Sequence, residues 1–402
     1  MRTFDAGACS SACSSGEDHE YRAGPLIRDR RQRLCRRASP GAARLPVERG
    51  ARVITILHPL TREQGSWHRI ATYAAGRRAS ERVVRVPLAP PLSYLLDPFV
   101  PLAVPPVDVW FGFNPLACAR GLLARKRNRA RLVVLWSVDF TPDRFGPRNP
   151  ATRIYDWLDR LSCIHADAHV ELSEAARAAR SRRLKLPTSA APTYIVPMGA
   201  WIGRTPKTDV DGFRKHRVVF LGHLNQTKGL EVLLHALSLL RSRGDHVVAD
   251  IIGTGPLESS LRAQAESLGL REVLRFHGFV SEHREVERLL ADASVAVAPY
   301  RPEEGAMTAY ADPGKLKAYL AAGLPIVMTD VPPNASELAS KAGAEIVSFD
   351  QNALAKGIAS VLNSPVEWRA RRRAALAYAG RFDWSVLFED LVRDLLRKLT
   401  RP

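Results

Sequence analysis

The chain has 402 residues, 46% of them hydrophobic and 25% charged, which is the composition of a folded protein long enough for two domains that each bury a core. A formal charge of +18 points to an anionic partner, whether nucleic acid, an anionic membrane face or a phosphorylated substrate, with an arginine-rich coding bias as the alternative source. Five scattered cysteines, Cys9, Cys13, Cys35, Cys118 and Cys163, argue against a disulfide framework or a zinc site, because the closely spaced Cys9 and Cys13 have no second pair.

No uninterrupted apolar run approaches the roughly 20 residues that a spanning helix needs. The apolar stretch from Leu88 to Ala119 is broken by seven prolines and acids, from Pro90 to Pro106. The N-terminus lacks the apolar core of a secretory signal, so a reducing cytoplasm is expected, in solution or on the inner face of a membrane.

Residues 1–50 are small, polar and Arg-rich without periodicity, and read as a disordered tail or as sequence added by an upstream start. Order is expected from the buried strand at Val53–Leu57, followed by a helix over Trp67–Arg78 and a strand over Arg82–Val86. Val107–Phe113 reads as a strand and Pro115–Lys126 as a helix opening on proline. The strand Arg131–Val138, the helix Pro150–Ala166 and the strand Ala168–Leu172 follow, the last capped into the next helix by Ser173. Tyr194–Val196 closes this half.

A second alternation starts at Val218, with strands expected at Val247–Ile252, Val273–His277, Val295–Ala298, Pro325–Thr329 and Ala344–Val347. Two successive βα series predict two doubly wound parallel-sheet domains, residues 51–205 and 206–380, with a linker near 200–215 and a final helix in 381–402 returning across the first domain. Such sheets bind ligands at the carboxyl ends of their strands, so facing domains would enclose a cleft.

The richest segment is Val218 to Gly229, where a buried strand turns at Gly222 and a polar loop ends in Lys228-Gly229. Leu230, Leu233, Leu234, Leu237 and Leu240 then fall at helical spacing. A cation beside free N–H groups at a helix start suits a phosphate. Gly253-Thr254-Gly255-Pro256 follows a strand and opens a helix, without the third glycine of the dinucleotide fingerprint. Phe276-His277-Gly278-Phe279-Val280 ends another strand, where His277 by itself reads as packing. Asp312-Pro313-Gly314-Lys315 gives a second helix start beside a cation, so that two starts can hold the two phosphates of a diphosphate.

In order and spacing, from about Val218 to Val331, these residues resemble the donor domain of retaining nucleotide-sugar glycosyltransferases of the GT-B fold, family four (group 1). Phe220-Leu221-Gly222 with Lys228-Gly229 is similar to that family's first strand and diphosphate-binding lysine. Ile252 to Pro256, Phe276 to Val280 and Tyr319 to Val327 resemble its later landmarks. Ile195 to Gly199 looks like the turn closing the N-terminal domain, and Phe382-Asp383-Trp384 like the start of the returning helix.

The resemblance implies two facing Rossmann-like domains with an inter-domain cleft, and transfer of a hexose from a nucleotide-diphosphate donor with retention. It implies Lys228 and Asp139 as catalytic residues. Donor contacts would come from Gly65, Gly222, His223, Lys228, Gly253, Gly255, His277, Gly278, Phe279, Glu304, Asp312, Gly314 and Lys315. No cofactor or metal is expected, so protein cations and helix termini would have to stabilise the departing diphosphate. Attack on the donor face of the leaving group would let the departing phosphate accept the acceptor's proton.

Several positions depart from that pattern. His223 stands where the family has arginine, and is mostly neutral at an ordinary pKa of about 6.5. Ala318 stands where the family has a ribose-holding glutamate; Glu303 or Glu304 is the stand-in for its first glutamate, and Asp312 a substitute for one of the two. Asp139 lacks the neighbouring histidine and alternatively caps the turn through Thr141-Pro142. The expected partners are a nucleotide-diphosphate sugar and a glycan or lipid-linked acceptor.

Two other functions fit the same features. One is a sugar-nucleotide epimerase or phosphorylase of this fold. The other is a basic binding protein for nucleic acid or an anionic membrane surface, through Arg120, Arg125, Lys126, Arg127, Arg129 and Arg131 or through Arg369, Arg371, Arg372 and Arg373. The membrane fits those patches better, because no RNA or DNA-reading motif accompanies them.

Overall fold

The computed structural model describes residues 52–59, 66–74, 77–86, 88, 99–100, 102–303 and 307–400. Residues 1–50, Gly65 and Glu304 therefore lie outside the described residues. The chain divides into two compact units, one running to Val196 and resuming at Phe388, the other Pro197–Leu387. The segment 200–215, read as a linker, lies within the second unit.

The first unit opens with β1 (Val53–Leu57), β2 (Trp67–Ala74) and β3 (Arg77–Arg85), an antiparallel sheet in the order β1-β2-β3. This corrects the helix expected over Trp67–Arg78. Trp67, Ile70, Ala71 and Ala74 have helical spacing, but pairing decided the outcome: β2 is hydrogen-bonded on both sides, with Ile70 opposite Ile56 and Arg82. A β-branched and aromatic run, Ile70-Ala71-Thr72-Tyr73, suits that middle position.

Then β4 (Val107–Gly112), α1 (Pro115–Lys126), β5 (Ala130–Trp136), α2 (Pro150–His165), β6 (Ala168–Glu171), α3 (Glu174–Leu184) and β7 (Thr193–Ile195) form the expected parallel series, in the order β4-β5-β6-β7. Asn114 and Ser173 cap α1 and α3 by accepting the N–H groups of Ala117 and Ala176. Ile54, Ile56 and Ile70 of the antiparallel sheet share one core with Val107, Trp110, Val133 and Leu135.

The second unit holds β8 (Arg217–Leu221), α4 (Leu230–Ser242), β9 (Val248–Ile252), α5 (Glu258–Ser267), β10 (Leu274–Gly278), α6 (His283–Ala291) and β11 (Val295–Ala298). It continues with α7 (Gly314–Ala322), β12 (Ile326–Thr329), α8 (Ala335–Ala342), β13 (Glu345–Val347), α9 (Gln351–Leu362) and α10 (Pro365–Ala379). All six strands are parallel, in the order β10-β9-β8-β11-β12-β13.

Alternate residues of β8 supply opposite faces. Val218 and Phe220 pack with Leu230, Leu234 and Ile358, whereas Val219 packs with Leu316, Leu320 and Leu338. That two-sided burial is why β8 and β11 read as nearly continuous apolar runs. The last helix, α11 (Trp384–Thr400), begins in the second unit and ends in the first, where Phe388, Leu391 and Leu395 are buried and Phe388 lies 5.3 Å from the Trp136 ring.

No helix among the described residues is long and apolar enough to cross a membrane. The arginine clusters are largely committed to the fold. Arg120 donates to the Val100 carbonyl at 2.9 Å, Arg125 pairs with Asp167 at 2.6 Å, and Arg131 donates to the Leu399 carbonyl at 2.7 Å. Arg129 donates to the Val104 carbonyl and Arg369 pairs with Asp211. Arg371 pairs with Glu345 at 2.7 Å, and Arg372 donates to the Thr208 carbonyl at 2.6 Å. Read from sequence as cationic patches for an anionic membrane face or nucleic acid, these residues mostly hold backbone carbonyls and carboxylates of the fold.

Candidate functional site

The strand order reverses between β8 and β11, because the crossovers from them leave on opposite sides of the sheet. Such a switch point opens a crevice at the carboxyl ends. Here β11 pairs with β8 only at Val218 and Val219. Beyond that the strands part, and Tyr319 of α7 fills the split from below. Its hydroxyl accepts the Leu221 N–H at 2.8 Å and reaches the Val297 carbonyl at 3.4 Å.

The floor of the crevice is made by glycine. Gly222 (φ +146°) donates to the Ile252 carbonyl at 2.9 Å, and Gly253 (φ +137°) donates to the Gly278 carbonyl at 2.9 Å, so the ends of β8, β9 and β10 are stitched together. A Cβ on Gly253 would collide with the Gly222 carbonyl; one on Gly222 would lie 2.9 Å from Lys315 Nζ. Only glycine permits both the backbone angles and the closeness.

Two lysines converge above this floor. Lys228 ends a short 3-10 turn, Gln226–Lys228, and Gly229 (φ +63°) then starts α4. Lys315 is the second residue of α7. Their ammonium groups lie 5.1 Å and 5.0 Å from the Tyr300 ring centroid, and Lys315 Nζ is also 4.0 Å from that of Phe220.

The Lys315 ammonium and the Tyr300 hydroxyl are both buried without a hydrogen-bond partner among the described residues. Cation–π contact contributes on the order of 2 kcal/mol when desolvated, but leaves the three ammonium donors unmet. Burial, reinforced by the Lys228 charge, pushes the Lys315 pKa well below the ordinary lysine value, and burial lowers that of Lys228. Burial also lowers the pKa of His223, opposed by its hydrogen bond to the Thr254 backbone, which strengthens the expectation of a neutral imidazole there.

The remaining residues named from sequence are placed as follows. Gly255 follows β9, Gly278 ends β10, and Gly314 opens α7. Phe279 is exposed beyond β10. His277 is turned to Asp250, its Nε2 2.6 Å from Oδ1, while Arg217 holds the other oxygen at 2.6 Å; this is a packing contact under the loop.

Asp312 is buried and its oxygens are taken. They accept from Lys317, from the Asn334 amide at 3.0 Å and from the Met198 N–H at 2.7 Å, so it anchors the start of α7. Glu303 lies 3.9 Å from Arg301, and Ala318 is half-buried on α7. In the first unit, the Asp139 carboxylate is paired with Arg144 at 2.7 Å, and its carbonyl accepts from Ser137 and Arg180, each at 3.0 Å. Arg144 thus takes the carboxylate that the sequence offered to a turn cap.

Among the described residues no group of three or more His, Cys, Asp or Glu is placed to share a metal ion. Tyr300 escaped the sequence reading, although its position two residues after β11, at the switch point, was an available signal.

Comparison with known proteins agrees with this geometry. The family model for glycosyl transferases group 1 matches residues 215–364. A GDP-mannose-dependent alpha-(1-6)-phosphatidylinositol dimannoside mannosyltransferase of Mycobacterium tuberculosis is 27% identical over 254 residues, which cover 60% of this chain and 62% of that protein. The match thus spans less than two thirds of that relative's length.

Among solved structures, sucrose-phosphate synthase from Thermosynechococcus elongatus aligns over 99% of this chain and 100% of its own, with a TM-score of 0.65 at 15% identity. Anabaena HepE in complex with UDP covers 72% of this chain and 79% of its own, with a TM-score of 0.59 at 17% identity. At these identities the likeness is one of fold. Residues 215–364 form a group 1 glycosyltransferase domain, in a divergent chain of the GT-B fold.

Proposed function

We propose that the protein transfers a hexose from a nucleotide-diphosphate sugar to a glycan or lipid-linked acceptor with retention of anomeric configuration. The observation that carries this reading is the Lys315 ammonium, buried and unpartnered among the described residues, with Lys228 beside the same Tyr300 ring at the switch point. Two cations without a counter-ion among the described residues, over a glycine floor, call for an anion between them. A diphosphate supplies at least two charges and spans the starts of α4 and α7. A relative that uses GDP-mannose and a neighbour solved with UDP share that diphosphate and differ in base, which supports the donor class without choosing its member.

In this reading Lys228 and Lys315 balance the charge that grows on the leaving diphosphate, and the N–H groups at the start of α7 add to it. A helix N-terminus contributes about 0.3–2 kcal/mol, whereas losing one preorganised hydrogen-bond donor costs about 3–4 kcal/mol of barrier. Lys228, the less deeply buried of the two, carries the larger share as the diphosphate departs. The leaving phosphate takes the acceptor's proton, and Asp139 contacts acceptor or sugar.

The test is turnover of a matched nucleotide sugar, found by a thermal-shift screen. Lys228→Ala is expected to lose about 10²–10³-fold in kcat with an unchanged far-UV spectrum. Near-normal turnover in that variant would remove the claim.

A further inference from the structure

Tyr300 is 1% exposed, and its hydroxyl has no hydrogen-bond partner among the described residues. A buried phenol usually finds a partner, because apolar surroundings do not replace the water it gave up. Other buried tyrosines of the same core follow that rule. The Tyr319 hydroxyl accepts the Leu221 N–H at 2.8 Å, and the Tyr378 hydroxyl is hydrogen-bonded to Glu337.

The backbone of Tyr300 is firmly held. Its N–H donates to the Ala298 carbonyl at 2.9 Å and its carbonyl accepts from the Thr329 hydroxyl at 2.7 Å, at the carboxyl ends of β11 and β12. The next residue, Arg301, donates its N–H to the Thr227 carbonyl at 3.1 Å, which ties this segment to the turn that ends in Lys228. A Cβ on Gly229 would run into the Pro299 carbonyl, so turn and segment touch directly.

The ring is thus a fixed wall of the crevice, with the Lys228 and Lys315 ammonium groups 5.1 Å and 5.0 Å from its centroid. Neither lysine can take the hydroxyl's hydrogen, since an ammonium has donors only. Burial pushes the phenol pKa well above its ordinary value, and the neighbouring Tyr319 and Asp312 groups add to the rise, so the hydroxyl keeps its proton. A buried ammonium and a buried neutral hydroxyl therefore lie at one ring, and among the described residues neither has an acceptor. A cation would meet neither need, and an apolar ligand would leave both unmet. A buried water could accept from the hydroxyl but would leave the lysine charges unmatched. Phosphate oxygens answer both.

We propose that Tyr300 is a further residue of the nucleotide-binding site, its hydroxyl donating a hydrogen bond to an oxygen of the diphosphate that Lys228 and Lys315 balance. The proposal rests on the nucleotide-diphosphate reading and adds to it a neutral contact that the charges alone do not require. As the bond from sugar to diphosphate breaks, its electron pair stays on the diphosphate oxygen, and the hydrogen bond from Tyr300 strengthens with that charge. The phenolic proton remains on Tyr300 throughout.

The test is Tyr300→Phe in the full chain, which keeps the ring beside both lysines and removes the hydroxyl alone. Calorimetric titration of wild type and variant with UDP and GDP reads both the affinity and the protons taken up. A nucleotide that wild type binds is expected to bind the variant about 10- to 100-fold more weakly, as for loss of a hydrogen bond to a charged acceptor. The Tm of the ligand-free variant should equal or exceed that of wild type, because an unmet buried donor is gone. Net proton uptake, which belongs to the lysines, should persist.

Unchanged affinity in the variant, beside a wild type that binds, would overturn the proposal and leave the diphosphate reading standing. A lower ligand-free Tm would also overturn it, since the hydroxyl would then have its partner within the fold. So would weaker binding with the proton uptake lost, which would trace the effect to the lysines. Binding of neither nucleotide by wild type would remove the diphosphate reading, and this contact with it.

Discussion

Lys315 is the residue on which the most physics converges. Its ammonium is buried beside a second cation, with aromatic faces where an anion or a carbonyl would ordinarily be. Its folded pKa lies well below the ordinary value, so the unfolded chain holds more protons there. The charged group therefore opposes folding at pH below the folded pKa, and the penalty fades as pH rises toward the unfolded value of about 10.4. Lys315→Met, which keeps the stem and removes the charge, is expected to raise the Tm of the ligand-free protein, by about 2–4 °C for each kcal/mol recovered in a unit of this size. The same variant should lose the thermal shift given by nucleotide sugars. A lower Tm would mean that the ammonium has a stabilising partner, and that the crevice is not waiting for an anion. Asp312 makes the opposite lesson. A carboxylate beside Pro-Gly-Lys looks like a ligand contact in sequence, but burial and three donors turn it into an anchor.

The decisive contact at the level of elements is the stitching of strand ends. Gly222 and Gly253 hydrogen-bond the ends of β8, β9 and β10 to one another beneath the lysines. Gly253→Ala puts a Cβ into the Gly222 carbonyl at a backbone angle that L-residues rarely adopt. A loss of about 1–3 kcal/mol in stability and weaker donor binding are expected, although both lysines remain. Gly380 is the control, since its φ is −53° and a Cβ there meets nothing within 4 Å. Gly380→Ala should be neutral in both denaturant unfolding and donor titration; equal effects from the two substitutions would show that the crevice floor has no special role. These elements were legible because β8, β11 and β12 are buried on both faces and so spell nearly continuous apolar runs. Of the described strands, β2 and the first residues of β3 were misread as helix, because Trp67, Ile70, Ala71 and Ala74 satisfy a helical spacing as well as a pairing between two neighbours, and pairing is a non-local property. Gly76, between two β-capable runs, was the available hint of a hairpin.

For the whole molecule, the sequence order of βα units was enough to anticipate a parallel sheet in each unit, and the resemblance carried by Val218 to Val331 to anticipate the GT-B type, but neither foretold the antiparallel sheet β1-β2-β3. It was not enough to tell where charge was doing structural work. The net charge of +18 pointed toward basic patches, yet Arg120, Arg125, Arg131, Arg371 and Arg372 are spent on carbonyls and carboxylates. Which arginine meets which carbonyl depends on contacts tens to hundreds of residues apart, and no periodicity reports them. The same holds for the crevice. Lys228, Tyr300 and Lys315 are distant in sequence and meet only because the strand order reverses between β8 and β11.

The central claim is that this crevice awaits a diphosphate, and calorimetric titration of the full chain with UDP and GDP tests it most directly. An anion between the lysines raises their pKa values toward ordinary, so binding takes up protons. Run in two buffers of different ionisation enthalpy, above about pH 7.5 where the phosphates no longer titrate, the account predicts net proton uptake and an affinity that falls as pH rises. Failure of both nucleotides to bind, or binding whose heat is independent of buffer and whose affinity is independent of pH, would contradict it.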